Sequence, residues 1–413
     1  MRSRRLAARW LIPVQGPPIE RGALLIGSNG RILDVGPDAI VPRPADTPAE
    51  RFDDAVILPG LINTHTHLEL TGFEDRVSER EFTTWIRRLR ELKTTRSPAE
   101  YVEAARRGVV SCFAAGVTTV ADTGDSGAAI QALVETGGSG VMYQEVFGPH
   151  PDQTEKSLAG LQARVDELRP FASDRVRLGV SPHAPYSVSG RLFRAVSAWA
   201  RLEQLPVAVH VAESPAESEF LLGGSGPFAE AWRARGIPLP LPGGGTPMRW
   251  LAEQGVLSPQ TLCIHAVQLD RADVGRLADS GAAVAHCPLS NRAHGHGDAP
   301  LEALLASGIR VGLGTDSVVS VGRLDLLAEA RAAAGLAPSL DADDLMELCT
   351  LGGARALGLD SNTGSLLPGK WADCIVVRTS PKHGGTAAEQ VLASGPQDVL
   401  RTYVGGREVY RAL

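Results

Sequence analysis

The sequence lacks several features that would assign it at a glance. Its five cysteines, Cys112, Cys263, Cys287, Cys349 and Cys374, show no C-x-x-C spacing. That excludes a disulfide framework and a cysteine-based zinc site, and leaves buried thiols as the reading. No apolar run reaches the roughly 18 residues a helix needs to cross a bilayer. Basic charge is not in excess either. The 41 Lys and Arg against 47 Asp and Glu give a net charge of -6, which excludes the basic surface expected of a nucleic-acid-binding protein. The start, Met1-Arg2-Ser3-Arg4-Arg5, mimics the head of a signal peptide, but Arg9 and Pro13 interrupt the apolar stretch and no small-residue cleavage site follows. A cytoplasmic protein is expected, with no membrane partner and, by default, as a homodimer.

What is present is an ordinary globular composition, 43% hydrophobic and 21% charged over 413 residues, enough for a full-sized core. The first part reads as short strands: Gly22–Ile26, a Ser28-Asn29-Gly30-Arg31 turn, then Ile32–Val35, with a Pro-rich loop at 42–48. The other end carries strand-like Cys374–Arg378 and Val399–Val409, the latter broken by Gly405-Gly406. Two β-rich ends suggest a small β-sandwich built from both termini.

Between them, eight short apolar runs alternate with helical stretches: Val56–Ile62, Val117–Ala121, Val141–Val146, Val176–Val180, Val207–His210, Leu262–His265, Ala283–His286 and Ile309–Leu313. Helices are predicted between them, among them Glu100–Ala115, Arg191–Leu202, Asp270–Ser280 and Leu301–Ser307. This is the pattern of a (β/α)8 barrel. The expected division is 1–56 and 363–413 for the sandwich and 57–362 for the barrel. Reactive side chains fall at the strand ends: His65 and His67, Asp122, Glu145, His183, His210 with Glu213, His265, His286 and Asp316. In such barrels the active site lies at that end.

Thr64-His65-Thr66-His67-Leu68-Glu69 places two imidazoles two apart in a strand, able to converge on one ion. By itself the doublet is equally compatible with no metal. His210-Val211-Ala212-Glu213 adds a third imidazole and a carboxyl suited to proton transfer beside a metal; the alternative is a core histidine with an exposed loop glutamate. His265 could be a ligand or could hydrogen-bond the attacking water. Asp316, in Gly314-Thr315-Asp316, could complete a mixed N/O site or simply cap the next helix.

Together these segments resemble the amidohydrolase superfamily, in its cytosine/adenosine-type deaminase and chlorohydrolase branch. The matching stretches are Pro59-Gly60-Leu61-Ile62-Asn63-Thr64-His65-Thr66-His67, Ser181-Pro182-His183-Ala184-Pro185-Tyr186, His210-Val211-Ala212-Glu213, His265, His286-Cys287-Pro288-Leu289-Ser290-Asn291 and Gly314-Thr315-Asp316. Gly364-Ser365-Leu366-Leu367-Pro368-Gly369-Lys370-Trp371-Ala372-Asp373 resembles the family's return into its sandwich. The resemblance implies one divalent metal, zinc or else iron, on His65, His67, His210 and Asp316. It also implies Glu213 as proton shuttle, His265 as orienter of the water, Asp316 as a base as well as a ligand, and His183 as a substrate contact. Binuclear relatives bridge their metals with a modified lysine after strand 4. The only lysines here, Lys93, Lys156, Lys370 and Lys382, avoid the predicted strand ends, so one metal is expected.

Further substrate contacts are expected from Glu69, Glu145, Trp85 and Asn291, with plainer alternatives: a helix cap for Glu69, an arginine partner for Glu145 and a core position for Trp85. His65-Thr66-His67-Leu68-Glu69-Leu70, Tyr143-Gln144-Glu145-Val146 and Ser290-Asn291-Arg292-Ala293-His294-Gly295-His296-Gly297 look most similar to aminodeoxyfutalosine deaminases, enzymes of the futalosine route to menaquinone. His294 and His296 replace the Leu-rich stretch of methylthioadenosine and S-adenosylhomocysteine deaminases; their spacing admits a metal, though their Gly-rich loop favours substrate contact or exposure. The expected partner is therefore a small aminopurine nucleoside. The competing readings are another aminoheterocycle or triazine hydrolase, and a non-catalytic barrel used for assembly or binding.

Overall fold

The computed structural model describes residues 2–79, 81–240, 245–379 and 384–413. Met1 and Lys382 lie outside them. Two sheets organise the chain. One is an eight-stranded parallel sheet in strict sequence order: Leu61–Thr66, Val117–Gly124, Ser139–Val146, Val176–Pro182, Val207–Val211, Thr261–His265, Ala283–His286 and Val311–Leu313. The first and last strands meet only at their C-terminal ends, where the backbone N–H groups of Thr315 and Asp316 donate to the His65 carbonyl at 3.1 and 3.0 Å. Asn63 reinforces that seam, donating to Thr315 Oγ1 at 2.8 Å. The barrel thus closes where the histidine doublet and the aspartate stand.

The other sheet is mixed and seven-stranded, in the order Arg407–Arg411, Val399–Val404, Cys374–Arg378, Ala49–Pro59, Arg4–Leu11, Ile19–Ile26 and Ile32–Pro37. Both termini build it, as expected, and the basic start of the chain is one of its inner strands. Its hairpins follow their turn chemistry: Gly30 has φ +80°, and a Cβ there would lie 2.3 Å from the Gly405 carbonyl oxygen.

One expectation needs correction. The run Val56–Ile62 is not a single barrel strand. Residues up to Pro59 pair with Arg4–Leu11 and Cys374–Arg378 in the mixed sheet, and the barrel strand begins at Leu61. Pro59-Gly60 is the break: proline has no ladder donor, and a Cβ on Gly60 would sit 2.1 Å from Thr118 Oγ1. Hydrophobicity continues across the break because both sheets are buried, so apolar pattern alone merges them. The eighth strand likewise starts at Val311, two residues later than expected.

Helix boundaries follow capping chemistry. Ser97 and Glu100 form a capping box at the head of Pro98–Ala114, and Asp270 and Asp273 do the same for Arg271–Ser280. Alternation along the barrel strands sorts the core. Val120, Val209, Cys263 and Val284 pack with helix residues such as Val109, Leu133, Val196 and Leu277, while Ala121, Ala208, Leu262, Ile264, Ala283 and Ala285 fill the interior.

Candidate active site

The structure brings His65, His67, His210, His265, Asp316 and Glu213 together at the C-terminal end of the barrel. Nε2 of His65 and of His67 lie 3.4 and 3.5 Å from Asp316 Oδ1. The His65 ring centroid is 4.8 Å from that of His67 and 4.9 Å from that of His210. Strand alternation alone does not produce this convergence. A register irregularity between Asn63 and Thr66 re-aims the doublet. Ile264 faces the interior, so His265 would point outward, but its φ of +71° turns it back; Ala212 and Asp316 share that backbone region at +52° and +57°. Strained non-glycine backbone of this kind is held by its surroundings and gathers at functional sites.

Each ring is held so that a nitrogen remains free. His67 Nδ1 donates to the Thr123 carbonyl at 2.9 Å and His210 Nδ1 to the His183 carbonyl at 3.3 Å, leaving both Nε2 lone pairs directed at the cluster. His65 is fully buried, and neither ring nitrogen has a hydrogen-bond partner among the described residues. Burial, reinforced by neighbouring imidazoles, pushes His67 down to about 3 and His210 well below the usual range, so both are neutral and ligand-competent near neutral pH. Burial opposes ionisation of Asp316, yet the surrounding imidazoles hold its carboxyl well below the usual carboxylate range. Its Oδ2 accepts from Ser290 Oγ at 2.5 Å and Ser320 Oγ at 3.2 Å, which turns Oδ1 toward the histidines. Ser317, not Asp316, caps the following helix. One set of ligand atoms from His65, His67 and Asp316, and another from His65, His210 and His265, lie within 4.8 Å of one another. An orphaned buried imidazole amid N and O donors fits a divalent ion of the zinc or iron type.

Glu213 sits beside this cluster, its Oε1 3.5 Å from His265 Nε2 and its Oε2 accepting from Tyr186 at 3.3 Å. Burial pushes its carboxyl well above the usual range, and the Asp316 and Glu217 charges add to the shift. A carboxyl so placed keeps a proton to give. His265 Nδ1 donates to Asn291 Oδ1 at 3.0 Å, fixing the tautomer that leaves Nε2 free toward Glu213.

A cavity of about 1020 Å³ opens above, floored by His67, His183, His210, Glu213, His265 and Asp316. Trp85, Glu145, Phe147, Tyr186, Phe228 and His294 are among its walls. Trp85 is at once wall and core, packing with Leu70, Phe73, Val77 and Leu92. Among the described residues Glu145 has no arginine partner and its Oε1 is unpartnered, and burial pushes its carboxyl well above the usual range. Two expected contacts do not reach the cavity. Glu69 is buried behind it, bound to Lys93 Nζ at 2.7 Å and to the Ser126 hydroxyl. Asn291 supports His265 and does not line the space. His286 shares the outward parity of Val284 and stands away from the site, and Asp122 braces the turn after the doublet by accepting from Leu68 N–H at 2.6 Å. His294 packs on Trp85 and hydrogen-bonds Ser320 Oγ at 3.1 Å, whereas His296 lies behind Glu213 at 3.7 Å; neither joins a metal-competent group among the described residues.

Sequence reasoning passed over several supports. Glu217, fully buried, accepts from the backbone N–H groups of Ala212 and Glu213 at 3.0 and 2.9 Å and so fixes the loop that presents Glu213. Its signal, Ser214-x-x-Glu217, reads as a helix cap. Ser290 holds Asp316 and Lys93 pairs with Glu69, roles that no local sequence pattern announces.

The amidohydrolase family model matches residues 56–409. The chain belongs to the amidohydrolase family. An aminodeoxyfutalosine deaminase of Deinococcus radiodurans is 34% identical over 75% of this chain and 75% of its own length. A 5'-deoxyadenosine deaminase of Methanothermobacter thermautotrophicus is 32% identical over 88% of this chain and 82% of its own. Among solved structures, an adenosine deaminase of Xanthomonas campestris with bound zinc superposes with a TM-score of 0.85 at 24% identity, covering 98% of this chain and 92% of that one, which speaks for the fold. This amidohydrolase is a metal-dependent hydrolase. No helix among its described residues is long and apolar enough to cross a membrane.

Proposed function

We propose that the chain is a hydrolytic deaminase of an adenosine-like purine nucleoside, with aminodeoxyfutalosine as its substrate and zinc as its metal. The observation that carries the reading is Glu213: a buried, proton-retaining carboxyl between His265 and Tyr186, adjoining a histidine/aspartate ligand set under a cavity with aromatic walls. His65, His67, His210 and Asp316 would hold the ion, which supplies Lewis-acid activation of water when bound. Asp316 and His265 Nε2 stand where they would orient a water, and Asp316 would accept its proton. Glu213 protonates the ring nitrogen next to the amino-bearing carbon as the water oxygen adds there; the proton held by Asp316 then passes to the exocyclic amine, the C–N bond breaks and ammonia leaves, and the added hydroxyl returns its proton to Glu213 as the carbonyl forms. Trp85 and Phe228 offer ring faces for the base and its appendage, and the free oxygen of Glu145 suits a sugar hydroxyl or amine.

Two relatives support different 5' groups. The deaminase from Deinococcus radiodurans carries the name proposed here, whereas the 5'-deoxyadenosine deaminase spans more of the chain, which favours 5'-deoxyadenosine as the second reading. Ammonia release and loss of the 6-amino absorbance should be followed with zinc-loaded protein on aminodeoxyfutalosine, 5'-deoxyadenosine, methylthioadenosine, S-adenosylhomocysteine and adenosine. The highest kcat/KM is expected on aminodeoxyfutalosine, and chelation should reduce turnover to background. Preference for another of these moves the substrate assignment alone; silence on all five sinks the nucleoside reading.

A further inference from the structure

The two groups that handle the water depend on one short segment. Pro288–Ala293, a helix of six residues after the seventh barrel strand, carries Ser290, whose hydroxyl donates to Asp316 Oδ2 at 2.5 Å, and Asn291, whose Oδ1 holds His265 Nδ1 at 3.0 Å. Neighbouring positions on one turn therefore aim a metal ligand and the histidine facing Glu213. What holds the turn comes from the next barrel unit. Glu329, in the helix Leu326–Ala334 after the eighth strand, extends its carboxyl to the Leu289 backbone, accepting from that N–H at 2.9 Å.

Glu329 is an expensive residue for that task if packing were all that mattered. It is 1% exposed, its Oε1 has no partner among the described residues, and no basic side chain forms an ion pair with it among them. Burying a carboxyl against a single backbone donor leaves polar atoms short of partners, a cost that an apolar side chain would not carry. Burial, with the Asp316 and Asp325 charges adding, pushes its pKa up to about 8, so near neutral pH it is largely a neutral acid accepting through its carbonyl oxygen.

We propose that Glu329 is a positioning residue of the active site, fixing Leu289 so that Ser290 and Asn291 orient Asp316 and His265 for reaction. This rests on the deaminase reading given above. The chain of contacts runs Glu329, Leu289 N–H, then Ser290 to Asp316 and Asn291 to His265, so a single lost acceptor disturbs both groups although no ligand or cavity-lining residue is replaced. Glutamine reproduces the neutral acid in shape and keeps the acceptor; leucine fills the volume without it; serine admits water in its place.

The test compares Glu329→Gln, Glu329→Leu and Glu329→Ser in the full-length, metal-loaded protein. Turnover is referred to the folded, loaded fraction, and the visible spectrum of the cobalt(II)-substituted protein is recorded in parallel. Glu329→Leu should lower kcat roughly 10- to 100-fold, the usual loss when the partner of a site residue is removed, with KM little changed. It should also shift the cobalt bands as Asp316 reorients, and Glu329→Gln should restore both kcat and spectrum. Glu329→Ser carries the same expectation if the leucine variant does not fold. Wild-type kcat and spectrum in the leucine or serine variant, or a loss of activity explained wholly by unfolded protein, overturns the proposal. A wild type silent on every nucleoside would instead defeat the deaminase reading, and the cobalt spectra would still decide whether Glu329 governs the geometry.

Discussion

Two buried acids, one in the region between the sheets and one at the barrel top, are treated in opposite ways. Asp373, 2% exposed, precedes the strand Cys374–Arg378; its Oδ1 accepts from Arg175 Nη2 and from Gly405 N–H, both at 2.7 Å, and its Oδ2 from Thr363 Oγ1 at 2.9 Å. Glu213, 4% exposed, has among the described residues one hydrogen bond of 3.3 Å and no lysine or arginine paired with it, and it keeps a proton that burial refuses to release. A buried carboxylate with both oxygens engaged and a cation beside it is a joint in the architecture. One left short of partners, next to an unpartnered imidazole and strained backbone, is stable only because the fold around it enforces the arrangement. The difference separates what the chain spends on holding together from what it holds ready for a ligand.

The sharpest way to break that comparison is Glu213→Gln. The substitution keeps size and the Tyr186 contact but removes the transferable proton. Turnover should fall by about 10²- to 10⁴-fold, the span of general acid–base catalysis, while metal content and melting temperature stay near wild type. Kinetics alongside metal analysis check this. Substantial residual turnover would return Glu213 to the same class as Asp373. The reciprocal experiment is Asp373→Ala, which strands the Arg175 guanidinium and two further donors. Unfolding in urea should reveal a loss of about 3 kcal/mol or more, as expected when one member of a buried pair is removed, with kcat per folded molecule unchanged. A fall in kcat without loss of stability would mean that Asp373 reaches the chemistry after all.

That reactive side chains gather at one end of the barrel was legible from strand periodicity and the barrel rule, while their individual roles are what the family resemblance implies. Their supports were not legible. His265 enters the site through a left-handed φ that no alternation pattern announces, and His286, which alternation places outward, looked equivalent to it in one dimension. Glu69 stands two residues after the doublet, where a substrate contact or a helix cap is expected; a 3-10 turn, Leu68–Leu70, carries it behind the wall to Lys93. Trp85 was open between wall and core and serves as both. The Val56–Ile62 run failed for a different reason: two buried strands of different sheets share one hydrophobic stretch, and only Pro59-Gly60 records the crossing. Local pattern thus reports which residues carry chemistry, while backbone exceptions and distant hydrogen bonds decide where those residues point.

The subtlest difference between the two kinds of acid is read from Glu217, which belongs to both. Like Asp373 it has both carboxyl oxygens engaged, here by the Ala212 and Glu213 N–H groups, yet burial outweighs them and raises its pKa from 4.5 to about 7. The folded protein therefore holds this proton more tightly than the unfolded chain does. The stabilisation that proton brings is complete below about pH 4.5 and fades as pH rises through about 7. Across that window the group alone should lower the unfolding free energy by something on the order of 3 kcal/mol. Glu217→Gln does not titrate, so the difference between wild-type and variant stability curves, measured by urea unfolding at several pH values, should slope through this window and flatten above about pH 8. Because an amide oxygen cannot serve both N–H groups as two carboxylate oxygens do, the loop bearing Glu213 should also loosen, with a several-fold loss of kcat. A flat difference curve with normal kcat would place Glu217 wholly among the architectural acids, whereas a flat curve with reduced kcat would mean the carboxylate is ionised throughout and works only by holding Glu213 in place.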